Sequence, residues 1–524
     1  MRPTVWQPPI ETTAGEDKII EGIKRAKLFL FLRRYRHQLF SSEFQAELAT
    51  LYKECPQGQP PVPPALLALA LILQAYTGVS DDEVIEATLM DRRWQLALDC
   101  LDAETPPFSK GTLVAFRARL IEKAMDRRLL ERTIEIAAAS GAFGARQLRG
   151  ALDSSPLWGA ARVEDTYNLL GHALRKALGV IAGQQGRELT AVAQEAGAEV
   201  VTGSSLKAAL DLDWDNPQAR TQALTQVLAA LENVEQWLVQ HPELIPEGSP
   251  VPDCLEAARH VRAQNVMSNE AAEPMLIKGV AKDRRIAIED AEMRHGRKSR
   301  SVLIDGYKRH VLRDLDSGLI AAVGVTAANA PEASVAEPLK ADLDAQKITL
   351  KELHIDRAYL SSTLVSERTP ELEIYCKAWP VQQRPYFSKT AFQLDWERQV
   401  IRCPNGVEMK FEPGGVVHFP GERCASCPLR TQCTPSVRGR SVSINAEEQL
   451  LSELRARQQT REGRAKLRER AGVEHGLSHV GHWQGDPARY RGTRKNLLDL
   501  RRCAVVHNLH HFARQPEMMM AKAA

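Results

Sequence analysis

No apolar run in these 524 residues is long enough to span a bilayer, and no signal peptide opens the chain. A cytosolic protein is expected. Internal repeats and low-complexity segments are missing too, so nothing indicates a solenoid or a disordered tether. The nine cysteines are an odd number without an export signal, which argues against a disulfide framework and for free thiols or a metal. Net charge is almost absent: 69 Lys and Arg against 66 Asp and Glu leave +3. The balance hides segregation, because residues 455–502 hold 13 basic and 5 acidic side chains. Local basicity of that kind fits a polyanionic partner.

What is present is ordinary in amount. A chain with 44% hydrophobic and 26% charged residues is globular, and its length suggests roughly three or four domains. Its organising stretch is 299–362. Residues 301–313 and 318–326 are rich in Val, Ile, Leu and Tyr and flank the turn cluster Asp314-Leu315-Asp316-Ser317-Gly318, which predicts an antiparallel hairpin. Val335, Leu339 and Leu343 then recur at helical spacing, and a short apolar run ends in Asp356. A carboxylate just past a buried strand stands where α/β sheets bind ligands and metals. The plainer reading is that Asp356 caps the next turn. Residues 148–155 repeat this grammar, ending in Asp153 before Ser154, Ser155 and Pro156, with a simple turn as the alternative.

Residues 1–148 read as helices: amphipathic stretches at 19–32 and 44–52, a Pro- and Gly-rich break at 55–64, and a strongly apolar helix at 65–76. Asp81, Asp82 and Glu83 form an acidic first turn of another. A short basic helix at 109–121 invites a helix-turn-helix reading with Arg117 and Arg119 toward DNA, against which stands simple helix packing. Residues 161–274 are helical again, at 167–180, 189–196, 218–239 and 254–266, and read as an all-α insertion. Residues 281–300 are basic and irregular. A short strand is expected at 372–376, with weaker strand signals at 392–401 and 416–419. A long charged helical pattern covers 446–480, and an amphipathic helix covers 497–512.

Two constellations carry chemistry. Asp153 and Asp356 at strand ends, with Glu474 on the long helix, offer three oxygen ligands suited to two hard cations, Mg²⁺ or Mn²⁺. Arg470, Leu467 and Leu477 share a helical face with Glu474, so that face is expected to turn toward a core, whereas a solvated Arg–Glu pair is the bland alternative. Cys424 and Cys427 form a Cys-x-x-Cys knuckle, which Cys433 and Cys403 complete to four thiols. A closed structural Zn²⁺ site is expected, with reduced structural thiols as the alternative. The histidines at 507, 510 and 511 read as packing residues, and His475 is a candidate for phosphate contact.

These residues carry a resemblance. Leu152-Asp153-Ser154-Ser155, Asp305-Gly306-Tyr307-Lys308 with Asp316-Ser317-Gly318-Leu319-Ile320, Ile355-Asp356-Arg357-Ala358-Tyr359, Val473-Glu474-His475 and Ala488-Arg489-Tyr490-Arg491-Gly492 occur in an order that resembles bacterial insertion-sequence transposases of the DDE type. The N-terminal helices, 60–74 included, are similar to the helical domain of such enzymes, so the resemblance covers most of the chain. It implies a multidomain α/β protein. The parts would be a helical DNA-binding domain at 1–148, an RNase-H-like mixed sheet flanked by helices from 149–160, 275–376 and 446–512, the α-helical insertion at 161–274, a Cys-rich zinc-ribbon-like insertion at 377–445 and a flexible tail at 513–524. The implied activity is metal-dependent cleavage at terminal inverted repeats and strand transfer into target DNA. A nuclease without strand transfer and an idle DNA-binding protein are the competing readings. Asp153, Asp356 and Glu474 would be the catalytic, Mg²⁺-binding triad. Double-stranded DNA would be the partner of a homodimer in a bacterial cytoplasm, associated with the nucleoid and with no membrane involved. DNA contacts are expected from Arg470, Lys308, Arg489, Arg491, Arg494 and Lys495. Relatives keep Tyr, Arg, Glu and Lys around the third acid. Here Arg470 and Glu474 fit, but Leu467 and Gly481 stand at the Tyr and Lys positions. Lys495 or Arg494 is expected to substitute, and Glu469 stays a second candidate for the third acid.

Overall fold

The computed structural model describes residues 2–53, 58–141, 147–203, 205–279, 281–298, 301–379 and 385–515. Cys55 in the expected Pro- and Gly-rich break, residues 299–300 of the organising stretch and most of the expected tail lie outside the described residues.

A six-stranded mixed sheet forms the centre. Its strands are β1 (Gln147–Trp158), β2 (Arg294–Arg297), β3 (Leu303–Asp314), β4 (Ile320–Ala327), β5 (Thr349–Ile355) and β6 (Glu373–Cys376). β3 lies antiparallel to β1 on one edge, and on its other edge to β2 and then β4. β1 runs parallel to β5, and β5 to β6. The expected hairpin is β3–β4. Its turn closes because the Asp314 carboxylate accepts hydrogen bonds from the Ser317 N–H at 2.8 Å and hydroxyl at 2.6 Å, while Gly318 takes the left-handed φ of +75°. The edge strand β2 falls in the stretch expected to be irregular; its Arg294-His295-Gly296-Arg297 sequence lacks the apolar alternation that announces a strand.

The N-terminal helices do not form a core of their own. The Pro64–Thr77 helix is apolar on every face and buried on every face, Leu67, Leu69, Leu71 and Leu73 completely. It packs on the Thr493–Arg514 helix, which in turn lies on β4, and all three share one continuous hydrophobic core that runs from Leu28 to Phe512. The boundary expected at 148 therefore divides the sequence but not the core. Asn508 of the C-terminal helix fastens the open edge of β4: its amide accepts from the Ile320 N–H at 2.8 Å and donates to the Ile320 carbonyl at 3.0 Å and the Thr133 hydroxyl at 2.8 Å. Arg117 is buried, donating to Asp81 and, at 3.3 Å, to the Tyr490 hydroxyl. Arg119 lies over the Tyr52 ring. Neither faces outward as a helix-turn-helix reader would. Both arginines are used in packing.

Two regions have separate cores. The helices Thr166–Gln185, Pro217–Gln240 and Val251–Asn265 bury Leu174, Leu231 and Val261 in the α-helical insertion. Small antiparallel strands between Gln393 and Ser443 surround Phe392, Ile401, Phe419 and Val442 in the Cys-rich one. The long helical pattern of 446–480 is three helices, Glu448–Gln459, Arg461–Glu469 and Ala471–Gln484. Leu467 and Glu474 thus sit on different helices, and the shared face expected from their spacing does not form.

Candidate active site

The parallel pairing of β1 with β5 sets Leu152 opposite Ile355, so Asp153 and Asp356 are the next residues on neighbouring strands. Strands lie about 4.8 Å apart, and two carboxylates in this register emerge side by side. Each is oriented by backbone: one Asp153 oxygen accepts from the Ser154 N–H at 2.8 Å, and one Asp356 oxygen accepts from the Arg357 N–H at 2.6 Å. Asp356 also caps the short turn Arg357–Tyr359, so the plain reading of this residue and the functional one are both met.

Glu474 comes from the Ala471–Gln484 helix, which lies across β1 and β3 on Val473, Leu477 and Val480. Glycines let it approach. A Cβ on Gly476 would stand 3.2 Å from the Arg313 side chain, and one on Gly481 3.0 Å from an Arg309 nitrogen. The Glu474 side chain is 59% exposed, so the helix docks beside it and not through it. All three acids line one open pocket, together with Arg309, Lys298, Arg470 and His482. His482 shares the Glu474 face by helical spacing, the signal that could have identified it; His475 is exposed and is not among the pocket-lining residues.

Arg470 joins the Arg461–Glu469 and Ala471–Gln484 helices and reaches back into the pocket. It donates to Asp153 at 2.5 Å and to Glu474 at 3.3 Å. Burial works against its charge, but the carboxylates of Asp153, Glu474 and Asp356 outweigh that and hold its pKa above the ordinary value. Arg309 is buried under the same helix, donating to the Ser155 hydroxyl at 2.7 Å and the Gly485 carbonyl at 2.9 Å. It occupies the space that the missing side chain of Gly481 leaves. A cation therefore does stand at the position where relatives keep Lys, but it comes from β3.

Glu469, the second candidate, is turned elsewhere. It pairs with Arg149, and with Glu352 and His354 it forms a group whose ligand atoms lie within 4.8 Å. Burial would raise the Glu352 carboxyl, yet Lys466, His354 and Arg149 hold it down at about 2. With Lys466 at 2.9 Å and Arg149 at 3.1 Å, that carboxylate already has two cationic partners.

The remaining expected DNA contacts are distributed unevenly. Lys308 is buried and donates to the Ala330 carbonyl at 2.9 Å. Arg489 donates to the Gly78 and Val79 carbonyls, Arg494 to Asp126, and Arg491 pairs with Glu289 at 2.5 Å. Lys495 is exposed. Neither Arg494 nor Lys495 is among the residues lining the pocket, whereas Arg309 lines it and stands beside Gly481. The sequence shows a positive charge but not its partner, and here Arg489 and Arg494 join the chain's ends.

Cys403, Cys424, Cys427 and Cys433 line a second, smaller pocket with Phe387, Phe392 and Arg440. Burial raises the Cys433 thiol, and the other three sulfurs add to that against Arg440.

Residues 402–513 match the family model described as "Transposase DDE domain", and residues 21–119 match that described as "Transposase domain (DUF772)". The first match includes the four cysteines and Glu474; Asp153 and Asp356 fall outside both. No curated protein and no solved structure gave a match. Both matches are to transposase domains. They are consistent with an insertion-sequence transposase of the DDE type, with the nuclease or transferase role and divalent-metal use that the family implies.

Proposed function

We propose that this chain, with its two transposase-domain matches, cleaves DNA at the terminal inverted repeats of an insertion sequence and transfers the freed 3′-OH into target DNA. The observation that carries this reading is the convergence of Asp153, Asp356 and Glu474 on one open pocket walled by Lys298, Arg309 and His482. The donor set fits hard divalent cations, because all three side chains offer carboxylate oxygen. When bound, two Mg²⁺ or Mn²⁺ ions would activate the attacking water and stabilise the leaving oxygen of an in-line displacement. The Ser154 and Arg357 N–H groups keep Asp153 and Asp356 aimed, and the docked helix fixes Glu474. Lys298 and His482, which line the same pocket, hold the strand through its phosphates, so affinity falls steeply with added salt.

Asp153→Asn and Asp356→Asn should each abolish Mg²⁺-dependent cleavage of element ends while a gel-shift assay still detects DNA binding. Substantial cutting by either variant removes that residue from the site. Joining of cut ends to a target plasmid separates transposition from the nuclease reading, and a wild-type protein that binds DNA without cutting it would be the idle form.

We infer a structural zinc at Cys403, Cys424, Cys427 and Cys433. Four thiols around one small apolar pocket are the soft donor set that zinc prefers, and its role there is folding of the insertion. Elemental analysis of protein purified without added metal should find about one zinc per chain. Metal-free protein with the insertion fully folded is the contrary result.

A further inference from the structure

We propose that Arg470 is a resident counter-ion of the acidic pocket, released by a DNA phosphate, so that DNA binding and divalent-cation loading are coupled. This rests on the assignment of Asp153, Asp356 and Glu474 as the cation ligands. The argument begins with the oxygens of Asp153. One accepts from the Ser154 N–H and the other from Arg470, so both are already engaged by the protein. Each oxygen keeps a second lone pair, but a cation taking it would stand against the guanidinium's charge at hydrogen-bond range, so it gains Asp153 fully only when that charge moves away. The Ser154 N–H is backbone in the middle of β1 and cannot leave without breaking the strand. Arg470 can, being a long side chain that is 29% exposed at the pocket wall.

The surroundings fix its base and free its tip. Arg470 keeps helical dihedrals at φ −53°, ψ −30°, between two helices. The preceding helix is moored by Glu469 to Arg149 and by Lys466 to Glu352 at 2.9 Å, and the following one lies on the sheet through Val473. Only the guanidinium is left to move. It bridges Asp153 and Glu474, two of the three acids, and so holds a positive charge against the carboxylates that a divalent ion needs. A guanidinium pairs with phosphate as well as with carboxylate, in the same forked geometry. A strand laid along Lys298 and His482 brings a phosphate to compete for it. The carboxylates then lose their counter-ion while a second negative group arrives, and the pocket's appetite for divalent cations rises. Linkage makes the coupling reciprocal: the cation tightens DNA binding by the same factor.

Mn²⁺ binding measured by electron paramagnetic resonance on the full-length protein tests this without any turnover. Arg470→Gln should bind Mn²⁺ about tenfold more tightly than the parent in the absence of DNA, within the usual range of coupling between sites. Adding a mixed-sequence duplex at low salt should raise the parent's Mn²⁺ affinity by a factor of about 5 or more, and that of Arg470→Gln by clearly less, since only the phosphate's own field remains there. Lys298→Gln is the control for net charge, since Lys298 lines the same pocket and makes no ion pair with the three acids among the described residues. If Lys298→Gln tightens Mn²⁺ as much as Arg470→Gln does, the effect is field alone and the proposal falls. It falls equally if Arg470→Gln binds as the parent does, or if duplex does not help the parent. Asp153→Asn separates this from the site assignment. Undiminished Mn²⁺ binding by that variant overturns the assignment itself; lost binding there with an unchanged Arg470→Gln overturns only the counter-ion.

Discussion

Two glutamates five positions apart end up with different partners, because they leave the backbone in different directions on either side of Arg470. On one straight helix Glu469 and Glu474 would be separated by about 140°; here each belongs to its own helix, Glu469 against Arg149 and Glu474 in the pocket with Asp153 and Asp356. Glu474→Gln should therefore leave a folded protein that binds element ends and does not cut them. Glu469→Gln should cut at a rate near wild type and lose about 1 kcal/mol of stability or less, because its pair with Arg149 is partly exposed. Parallel cleavage assays and thermal melts check both. A dead Glu469→Gln with an active Glu474→Gln would falsify the assignment of the third acid.

At the level of elements, the Ala471–Gln484 helix reaches the sheet because three of its positions carry no side chain. Gly476 stands over Arg313 and Gly481 over Arg309, so any bulk there lifts the helix and Glu474 with it. Gly476→Val should cost about 1–3 kcal/mol through overpacking. Because a displacement of about 1 Å in a catalytic group is enough to lower rates by roughly 100-fold, cleavage should suffer far more than folding. Circular dichroism beside a cleavage assay tests it, and cutting at the parent rate would show that the helix position is not critical. The hairpin, the strand ending at Asp356 and the helices of the insertion were legible in the sequence, because periodicity and turn chemistry are local. The glycine contacts were not. In sequence Gly472 and Gly476 look like helix breakers, and only the sheet beneath them explains their presence. Arg309 stayed hidden for the same reason, since an arginine in a strand gives no sign of the glycine it packs against. Leu467 was placed on the wrong helix because nothing in Glu469-Arg470-Ala471 announces a break.

Across the whole molecule, buried ions tie the N-terminal helices to the Thr493–Arg514 helix and through it to the Ala336–Ala345 helix. The Asp126 side chain is fully buried between Arg494, at 2.8 Å, and Arg501, at 2.9 Å, and Arg501 continues to Asp342 at 3.0 Å. Asp126→Ala leaves Arg501 short of a partner in the interior and should cost about 3–5 kcal/mol. Urea unfolding followed by hydrogen exchange should show the helices around Pro64–Thr77 and strands β1 and β3 losing protection together. The α-helical insertion, with its separate core, should keep its own. Independent melting of the N-terminal helices would contradict the shared core. The Thr493–Arg514 helix has a further effect through time. It follows in sequence every strand of the sheet and every N-terminal helix it packs on, and it brings Leu500, Val505, Leu509 and Phe512 to their common centre. A nascent chain on the ribosome must carry those partners unfinished until this helix emerges. A chain cut short upstream of it would lack Leu500, Val505, Leu509 and Phe512 and leave the shared core open on both the N-terminal helices and the sheet.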